Sequence, residues 1–266
     1  MAERLRQKYT ALITGASNGI GLELAELFAR DGHDLVLVAR SEEKLNSLAL
    51  KFAVNYKVYA KVIVQDLAKP EGPQQVFGEL QKAGIPIDVL VNNAGFGDFG
   101  HFKETELQKD LDMMQLNMVT LTHLTKLYLN QLPAGREGKI LNISSMAAFV
   151  PGPLMAVYYA SKAYVQSFSE ALSEELKEVN VTVTALCPGS TDTGFKERAG
   201  LESNPLFKTA MMADAKSVAE AGYKGMLAGE AVVIPGLKNK AGAVALKLMP
   251  RSIVRTMIKK IQDLRQ

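Results

Sequence analysis

The chain has 266 residues, of which 47% are hydrophobic and 22% are charged, a composition that indicates a globular protein and excludes a disordered or collagen-like one. Its net charge of +3 gives no basis for nucleic-acid binding, and its single cysteine, Cys187, excludes an intramolecular disulfide and a cysteine-rich metal site. Because the sequence shows neither an apolar signal region before the first predicted strand nor a run of 18 apolar residues, we expect a cytoplasmic protein without a membrane-spanning helix.

Seven short apolar runs predict β-strands, and the amphipathic segments between them predict helices. The strands are rich in Val, Ile and Leu, and several are continuously apolar, which is typical of strands buried on both faces of a parallel sheet. The alternation predicts a doubly wound α/β fold in a single domain over residues 1–266. The strands are predicted at 10–14, 34–39, 56–64, 87–92, 138–144, 181–187 and 231–235, and the helices at 19–31, 41–53, 70–83, 103–132, 154–179 and 214–228.

A glycine-rich turn joins the first strand to the first helix in the stretch TALITGASNGIGLELAELF. Gly15, Gly19 and Gly21 follow the spacing G-x-x-x-G-x-G, whereas the general dinucleotide fingerprint is G-x-G-x-x-G. Glycines allow a tight turn and a close approach of backbone N–H groups to a pyrophosphate, and the helix N-terminus adds a partial positive charge. A strand, a glycine turn and a helix in the first βα unit therefore predict a phosphate-binding loop rather than a plain turn.

The second strand ends in VLVAR, so that Arg40 lies nineteen residues after Gly21 and is followed by Ser41. Sites that bind a free ribose 2′-hydroxyl commonly have an acidic residue about 20 residues after the glycines, whereas an arginine accommodates a 2′-phosphate. The alternative is that Arg40 is only a solvated charge at a strand end. Its position and its planar guanidinium favour NADP(H) over NAD(H) as the cofactor.

Three tyrosines and one lysine stand close together in AVYYASKAYVQSFSEAL, residues 156–172. Tyr158 and Tyr159 lie four and three residues before Lys162, and both spacings place the two side chains on one helix face. A nearby cation lowers the pKa of a phenol from its usual value of about 10, which suits a general acid that protonates an alkoxide. Helix geometry alone does not separate the two tyrosines. Ser144 and Ser145 end the fifth strand and point to opposite faces.

Four motifs, in this order along the chain, resemble the short-chain dehydrogenase/reductase family. They are TGASNGIG at 14–21, NNAG at 92–95, a serine thirteen residues before the tyrosine in ISSMAAFVPGPLMAVYYASK, and PGSTDT at 188–193. The resemblance extends from about Tyr9 to Val233 and implies a Rossmann-like parallel sheet of about seven strands. It also implies an oxidoreductase that exchanges hydride between a nicotinamide cofactor and a ketone or secondary alcohol.

The resemblance implies roles for four residues. The family pattern Y-x-x-x-K selects Tyr158 as general acid/base, and the family spacing selects Ser145 as the hydroxyl that orients the substrate. Lys162 would lower the pKa of the tyrosine and bind the nicotinamide ribose, and Asn117 in MMQLNMVTLT would hold a proton-relay water. The alternative is a non-catalytic NADP(H)-binding regulator or redox sensor, which predicts erosion of this set. All four residues are present, so the sequence favours an enzyme.

The resemblance further implies a set of cofactor-binding residues. Asp66 and Leu67 would hold the adenine, and the stretch from Pro188 to Thr193 would contact the nicotinamide carboxamide. Many NADP-preferring members have a basic residue where this chain has Asn18, so Arg40 has less help than in those members. The full implied set is Gly15, Ser17, Asn18, Gly19, Ile20, Gly21, Arg40, Ser41, Asp66, Leu67, Asn92, Asn93, Ala94, Gly95, Tyr158, Lys162, Pro188, Gly189, Thr191 and Thr193.

The segment 190–213 is too long for a simple connection, which predicts a lid over the substrate. Its apolar residues favour an apolar carbonyl substrate, such as a ketoacyl chain, a steroid-like ketone or a xenobiotic. Phe96 and Phe99 near the mouth of the site favour the same substrate class. The lid residues concerned are Phe195, Leu201, Leu206, Phe207, Met211 and Met212.

The C-terminal extension, residues 236–266, has eight basic residues and one acidic residue. From residue 250 onward, apolar residues recur at helical spacing opposite Arg and Lys, which predicts a basic amphipathic helix. This helix could lie on an anionic membrane surface, pack on another subunit or close the core of its own subunit. The family resemblance implies a homodimer or homotetramer assembled through the Tyr–Lys helix, with a small-molecule substrate, no nucleic-acid partner and no metal. The apolar residues are Ile253, Val254, Met257, Ile258, Ile261 and Leu264.

Overall fold

The computed structural model describes residues 8–194 and 212–263. The strands are β1 (Thr10–Thr14), β2 (Asp34–Ala39), β3 (Ala60–Val64), β4 (Val89–Asn92), β5 (Gly138–Ile143), β6 (Val181–Leu186), β7 (Thr191–Asp192), β8 (Ala213–Asp214) and β9 (Val232–Val233). The helices are α1 (Gly19–Arg30), α2 (Glu42–Tyr56), α3 (Gly72–Ala83), α4 (Leu107–Met114), α5 (Leu121–Gln131), α6 (Ala156–Glu175), α7 (Ala215–Leu227), α8 (Leu237–Leu248) and α9 (Arg251–Asp263). A π-helical segment, Gln115–Thr120, joins α4 to α5, and short 3-10 helices lie at Met146–Phe149 and Lys177–Val179.

Seven strands form one parallel sheet in the order β3-β2-β1-β4-β5-β6-β9, which confirms the predicted α/β class. β1 pairs with β2 on one side and with β4 on the other, so the strand order changes direction between β1 and β4. In a doubly wound sheet the carboxyl ends of the strands open a crevice at such a switch point, and ligands bind there. The segments that follow β1 to β6 therefore converge on one site.

The sheet is buried on both faces, which explains why its strands are continuously apolar. Alternate side chains of a strand point to opposite faces. Ala11 and Ile13 of β1 accordingly pack with α1 and α7, whereas Leu12 packs with α3 and α5. Phe28 of α1 meets Tyr223 of α7 edge to face, with 4.8 Å between the ring centroids. Because each buried Leu or Phe side chain stabilises the fold by about 1.5–3 kcal/mol, the two layers of helices hold the crevice rigidly.

Several predicted boundaries differ from the structure. The helices predicted at 41–53 and 154–179 are Glu42–Tyr56 and Ala156–Glu175, and three further elements also differ. The third strand is only Ala60–Val64, because α2 continues to Tyr56 and ends at Lys57 in the left-handed conformation, with a φ of 58°. The predicted helix 103–132 begins at Leu107 and is interrupted by the π-helical segment. The last strand is only Val232–Val233 rather than 231–235. In the C-terminal extension, α8 is an additional helix that the sequence analysis did not predict.

The pairing of β7 with β8 brings the two ends of the predicted lid together, with Thr191 opposite Ala213. The predicted lid residues Phe195, Leu201, Leu206, Phe207 and Met211 lie outside the described residues. An apolar lid therefore stays a prediction. Its two ends lie beside the carboxyl end of β6, where the crevice opens.

At the amino ends of the strands, the buried residue Asp88 links β1, β4 and β5. It accepts hydrogen bonds from the backbone N–H of Thr10 at 2.8 Å and from Nε of Arg136 at 2.7 Å, and a second guanidinium nitrogen also contacts it. The hydroxyl of Tyr128 donates to the carbonyl oxygen of Asp88 at 2.6 Å and accepts from the backbone N–H of Lys139 at 3.0 Å. These bonds join the starts of β1, β4 and β5, far from the carboxyl ends of the strands. They therefore stabilise the sheet and are not part of the site.

Candidate active site

The glycine turn after β1 forms a cradle that side chains would fill. Gly15 and Gly19 have positive φ angles of 65° and 54°, which glycine adopts without strain. A Cβ at Gly21 would lie 2.5 Å from the carbonyl oxygen of Gly15, and one at Gly19 would lie 2.9 Å from the side chain of Thr193. The side chain of Asn18, which precedes α1 at this turn, does not cap the first N–H groups of the helix. The turn therefore fits a pyrophosphate, because backbone and helix N-terminus meet at the cradle.

The loop after β4 is held against the glycine turn by Thr14 and Asn93. The Thr14 hydroxyl accepts hydrogen bonds from the backbone N–H groups of Asn93 and Ala94, both at 3.0 Å, and donates to the carbonyl oxygen of Val91 at 3.2 Å. The Asn93 amide donates to the carbonyl oxygen of Thr14 at 2.8 Å. Sequence analysis missed Thr14, although a polar side chain directly before the glycine turn was a usable signal. This anchor fixes the walls of the cradle.

The structure corrects the predicted position of Asn92. Its side chain is buried between strands, where Nδ2 donates to Oδ1 of Asn142 at 2.9 Å and to Oγ1 of Thr125 at 3.1 Å. Successive side chains alternate in direction at the end of a strand, so Asn93, rather than Asn92, lines the crevice. Asn92 therefore supports β4 and β5 from behind and does not line the cofactor groove.

Tyr158 and Tyr159 both line the cavity at the start of α6, but they contact different residues. The phenol of Tyr158 shares a hydrogen bond with the hydroxyl of Ser145. The ring of Tyr159 lies against Gly152, where a Cβ would be 2.3 Å from the ring atoms, and meets the Tyr158 ring at 6.0 Å between centroids. The contact with Ser145 supports Tyr158 as the tyrosine of the site, which agrees with the family pattern.

The two adjacent serines after β5 serve different purposes. The Ser144 hydroxyl is buried and donates to the carbonyl oxygen of Lys162 at 3.1 Å, which fixes α6 against β5. Ser145 Oγ accepts from the backbone N–H of Ala147 at 3.1 Å and reaches Tyr158. Both serines line the cavity, but the hydroxyl of Ser144 bonds to the backbone of α6 whereas that of Ser145 reaches Tyr158, in agreement with the opposite directions predicted from the strand pattern.

Lys162 is buried and donates from Nζ to the carbonyl oxygen of Ile143 at 2.8 Å. Burial lowers the pKa of Lys162 to about 8, and a smaller contribution from Cys187 opposes that shift. Its Nζ lies 5.8 Å from the centroid of the Tyr158 ring. The lysine therefore stands beneath the tyrosine and is anchored through a backbone carbonyl.

The pKa of Tyr158 is not lowered as expected from the nearby lysine. Burial raises the pKa of Tyr158 to about 12, the hydrogen bond from Ser145 opposes the rise, and the neighbouring Tyr159 adds to it. The physical reason is that desolvation of the phenolate outweighs the hydrogen bond that would stabilise it. Tyr158 therefore keeps its proton at neutral pH.

Asn117 lies in the π-helical segment and connects three parts of the site. Its Nδ2 donates to the carbonyl oxygen of Phe96 at 2.9 Å and to Oγ of Ser161 at 3.0 Å, and its Oδ1 accepts from the backbone N–H of Phe96 at 3.2 Å. A Cβ at Gly95 would lie 2.9 Å from that Oδ1 and 3.6 Å from Nζ of Lys162. Asn117 thus fixes the loop after β4 against the helix that carries Tyr158. The proton-relay water predicted beside it stays a prediction.

A cavity of about 360 Å³ lies above Ser145, Tyr158 and Lys162. Its outer wall is apolar and includes Val150 and Met155, which flank the start of α6. Leu246 of α8 and Ile258 of α9 add to this wall, and none of these four residues was predicted from the sequence to line the site. Since Val254 of α9 is also buried, the apolar side of the C-terminal helix faces its own subunit and closes the cavity. The helical spacing of Val254 and Ile258 was the available signal.

A second cavity of about 460 Å³ continues from the first across the glycine turn. Arg40 and Ser41 line it at one end, and Asp66 and Leu67 line it after β3. Phe96 lines both cavities, whereas Phe99 does not line either. All predicted cofactor-binding residues line one of the two cavities except Gly21, which forms the cradle from behind, and Asn92. The arrangement is one groove with a glycine cradle at its middle, which fits an extended dinucleotide.

The described ranges, 8–194 and 212–263, offer neither a metal-binding cluster nor a membrane-spanning helix. Those residues contain no group of three or more His, Cys, Asp or Glu side chains that could hold a metal ion. None of the helices in that part of the chain has both the length and the hydropathy needed to cross a bilayer. His33, the buried histidine, accepts a hydrogen bond from the backbone N–H of Tyr9 at 3.2 Å, which is a packing role.

Comparisons with known proteins agree with the groove and the fold. The family model for short chain dehydrogenase matches residues 9–204. The very-long-chain 3-oxoacyl-CoA reductase-A of Danio rerio is 35% identical over 185 residues, which cover 67% of this chain and 56% of that protein. The 17-beta-hydroxysteroid dehydrogenase type 3 of Homo sapiens is 35% identical over 205 residues, which cover 75% of this chain and 64% of that protein. The chain thus matches less than two thirds of the length of these two curated relatives.

A solved structure shows the likeness over nearly the whole chain. The short-chain dehydrogenase from Sphingobium yanoikuyae in complex with NADPH superposes with a TM-score of 0.81 and 34% sequence identity, over 90% of this chain and 92% of that one. The family model spans the glycine turn, the loop after β4 and the Ser–Tyr–Lys set. The chain belongs to the short-chain dehydrogenase family.

Proposed function

We propose that this protein is an NADP(H)-dependent oxidoreductase that interconverts an apolar ketone and the corresponding secondary alcohol, with Tyr158 as general acid/base. One observation carries the proposal: Ser145, Tyr158 and Lys162 meet at one end of a groove that has Arg40 at its other end. A proton donor and a nucleotide-binding cradle therefore share a single crevice. Turnover of NADPH with a panel of ketones tests the proposal, and cofactor binding without turnover on any of them would favour a non-catalytic sensor.

The chemistry follows from the protonation states of the buried groups. When bound, the nicotinamide cofactor supplies the hydride. Tyr158, whose pKa burial raises to about 12, carries the proton that the carbonyl oxygen needs in the direction of ketone reduction. Ser145 is placed to donate a hydrogen bond to the same oxygen as negative charge develops on it. Lys162, beneath the phenol, stabilises the phenolate that remains after proton transfer.

The preference for NADP(H) rests on the end of β2. Arg40 lines the groove there, and the next residue is Ser41 rather than an acid. A carboxylate at this position would bind a free ribose 2′-hydroxyl and repel a 2′-phosphate, whereas a guanidinium binds phosphate through two parallel hydrogen bonds. The NADPH complex of the Sphingobium relative supports the same cofactor. The ratio of kcat/KM for NADPH and NADH tests this preference, and a ratio below one would refute it.

The proposed substrate class rests on the apolar wall of the cavity. Val150, Met155, Leu246 and Ile258 surround the approach to Tyr158, so the part of the substrate next to its carbonyl would be desolvated by apolar groups. The two curated relatives are named for a very-long-chain 3-oxoacyl-CoA and for a 17-beta-hydroxysteroid, which supports ketoacyl or steroid-like substrates. A panel that spans short polar ketones, long 3-ketoacyl thioesters and ketosteroids tests this, and a preference for the small polar members would contradict it.

The proposed homo-oligomer rests on an exposed apolar face beside α6. Leu107, Leu111 and Met114 recur along α4, and Val119 and Tyr164 continue the face across the π-helical segment to α6. Leu107 alone is 71% exposed, and a contiguous apolar surface of this kind indicates contact with a protein. We propose that a second copy covers it. The molar mass in solution tests this: Leu111→Glu should lower it to that of one chain, and a monomeric unmodified protein would refute it.

The sequence predicted membrane contact through the helix from residue 250, which is α9. Because Val254 and Ile258 of α9 face their own subunit, we propose contact through the outer side of α8 instead. Leu237, Ala241, Val244 and Leu248 form an exposed stripe at helical spacing, and Leu248 is 81% exposed. The surrounding extension is strongly basic, which complements an anionic lipid surface. We propose that this stripe lies on such a surface while Leu246, on the inner side of the same helix, lines the cavity. Salt-sensitive co-sedimentation of the unmodified protein with anionic vesicles tests this. The proposal is refuted if the unmodified protein does not bind the vesicles and Leu248→Asp changes its oligomeric state.

A further inference from the structure

The side chain of Lys44 connects α2 to the glycine turn after β1. It lies in the first turn of α2, four residues after Arg40, and its Nζ donates to Oδ1 of Asn18 at 3.1 Å. Asn18 precedes α1 and lines both cavities. This hydrogen bond therefore places an ammonium from α2 at the glycine turn after β1, which borders the cavity that Arg40 lines.

Within the described residues, the ammonium of Lys44 forms no salt bridge with a carboxylate. In residues 8–194 and 212–263, neither Lys44 nor Arg40 forms an ion pair within 4.0 Å, although Glu42 and Glu43 share the first turn of α2 with Lys44. The partner of Lys44 is the neutral amide of Asn18. Arg40 thus lines the cavity and Lys44 reaches Asn18 on its border, and within the described residues no carboxylate neutralises either charge.

The start of α2 adds further donors at the same place. Ser41 precedes the helix and lines the groove, but its side chain does not cap the helix. The first N–H groups of a helix carry partial positive charge when no side chain caps them. Arg40, Ser41 and Lys44 therefore surround a position suited to a dianion with several acceptor oxygens.

We infer that Lys44 is a specificity-determining residue that forms, with Arg40, a two-cation site for the 2′-phosphate of NADP(H). The inference rests on the proposed cofactor preference and names the residue that completes it. A phosphate monoester carries a charge of about −1.5 to −2 at pH 7 and three acceptor oxygens. A guanidinium satisfies two of these oxygens in one plane, which leaves the third for a compact ammonium such as that of Lys44.

The hydrogen bond to Asn18 gives the lysine a preferred direction. A lysine side chain in solvent has many rotamers, and fixing it on a ligand costs conformational free energy. Because Asn18 already holds the ammonium at the groove, Lys44 is partly ordered before the nucleotide arrives. The residue therefore acts on the phosphate of the ligand and not on the hydride transfer.

Equilibrium binding of two nucleotide fragments to the full chain tests the inference without any turnover. The probes are 2′,5′-ADP, which has the 2′-phosphate, and 5′-AMP, which lacks it, both measured by calorimetry. The variants are Lys44→Met, which removes the charge, and Lys44→Arg, which keeps it. Lys51→Met is the matched control, because Lys51 lies on the same helix but binds Glu26 at 2.6 Å, away from the groove.

The inference predicts that Lys44→Met weakens 2′,5′-ADP about tenfold and leaves 5′-AMP unchanged, because only the phosphate contact is lost. Lys44→Arg and Lys51→Met should both keep the discrimination of the unmodified protein. If the unmodified protein prefers 2′,5′-ADP and Lys44→Met keeps that preference, the role of Lys44 is refuted while the cofactor preference stands. If the unmodified protein binds the two fragments equally, the cofactor preference itself fails.

Discussion

Ser145 and Tyr158 share a hydrogen bond, although one residue follows strand β5 and the other lies in the first turn of α6. Both residues line the cavity together with Lys162, whose Nζ lies 5.8 Å from the centroid of the phenol ring. Burial keeps the proton on Tyr158, while it lowers the pKa of Lys162 to about 8. A protonated acid and a cation that loses its charge above neutral pH are thus placed one helical turn apart.

The pH dependence of kcat/KM for NADPH should follow Lys162. This parameter reports groups of the free enzyme, in which burial lowers the pKa of Lys162 to about 8. Lys162 is protonated below that value and neutral above it, so kcat/KM should be level below about pH 8 and fall by about tenfold per pH unit above it. A profile that rises through pH 8 would contradict this role for the ammonium.

Stability should respond to the same group with the opposite trend. The pKa of Lys162 is lowered to about 8 in the folded chain from 10.5 in the unfolded one, so the unfolded state binds the proton more tightly. The resulting penalty on folding is fully present below about pH 8 and is relieved as the pH rises towards 10.5. Compared with Lys162→Met, the free energy of unfolding of the unmodified protein should therefore increase across this window. An unchanged difference would show that the lysine is not desolvated.

The glycine cradle gives a matched pair of substitutions. Gly21→Ala should abolish nucleotide binding, because the new Cβ would lie 2.5 Å from the carbonyl oxygen of Gly15 and must displace the turn. Gly78→Ala, within α3, meets no atom within 4 Å and should retain binding and stabilise the helix by up to about 1 kcal/mol. Calorimetric titration with NADPH and thermal unfolding of both variants measure this. Normal binding by Gly21→Ala would remove the basis for the cradle.

The two faces of α8 provide a second pair. Leu246 lines the cavity, so Leu246→Ser should reduce kcat/KM for a long 3-ketoacyl or steroid-like substrate by about tenfold, the effect of losing one apolar contact in a pocket. Leu248→Ser, two residues further on and 81% exposed, should leave that value unchanged and weaken binding to anionic vesicles. Equal effects of the two variants on kcat/KM would show that α8 does not form the wall of the cavity.

The buried carboxylate of Asp88, at the amino ends of the strands, should contribute to the free energy of unfolding and not to catalysis. Asp88→Asn removes the negative charge that accepts hydrogen bonds from Arg136 and from the N–H of Thr10. This should lower the free energy of unfolding by about 2 kcal/mol. Lys177→Met, which breaks the exposed ion pair with Glu174, should change it by less than about 1 kcal/mol. Denaturant titration compares the two variants. A similar loss in both would mean that Asp88 is not buried in solution.

Much of the fold could be predicted because its two main signals, the apolar runs and the glycine turn, are local in the sequence. Continuous apolar runs reveal strands buried on two faces, and the glycine turn marks the first crossover. The break in the long helix at Asn117 could not be predicted from periodicity, because it depends on hydrogen bonds to Phe96 and Ser161 that the chain forms only when folded. The cavity wall contributed by Leu246 is equally non-local, since it requires α8 to return to the carboxyl ends of the strands.

The site illustrates the same limit at the level of single residues. The sequence spacing left Tyr158 and Tyr159 equivalent, and the family pattern chose between them. The structure adds the contact of Tyr158 with Ser145 and the packing of Tyr159 on Gly152. The sign of the pKa shift was not predictable from sequence, because it depends on desolvation and not only on the nearby cation.

The comparison of Tyr158→Phe with Tyr159→Phe tests the central claim most directly. Both substitutions remove only a hydroxyl, so both variants should fold and bind NADPH like the unmodified protein. Tyr158→Phe should lower kcat for ketone reduction by about 10²–10⁴-fold, the usual contribution of a general acid, whereas Tyr159→Phe should retain most of the activity because its ring still packs on Gly152. Full activity of Tyr158→Phe together with loss of activity in Tyr159→Phe would contradict the assignment of the proton donor.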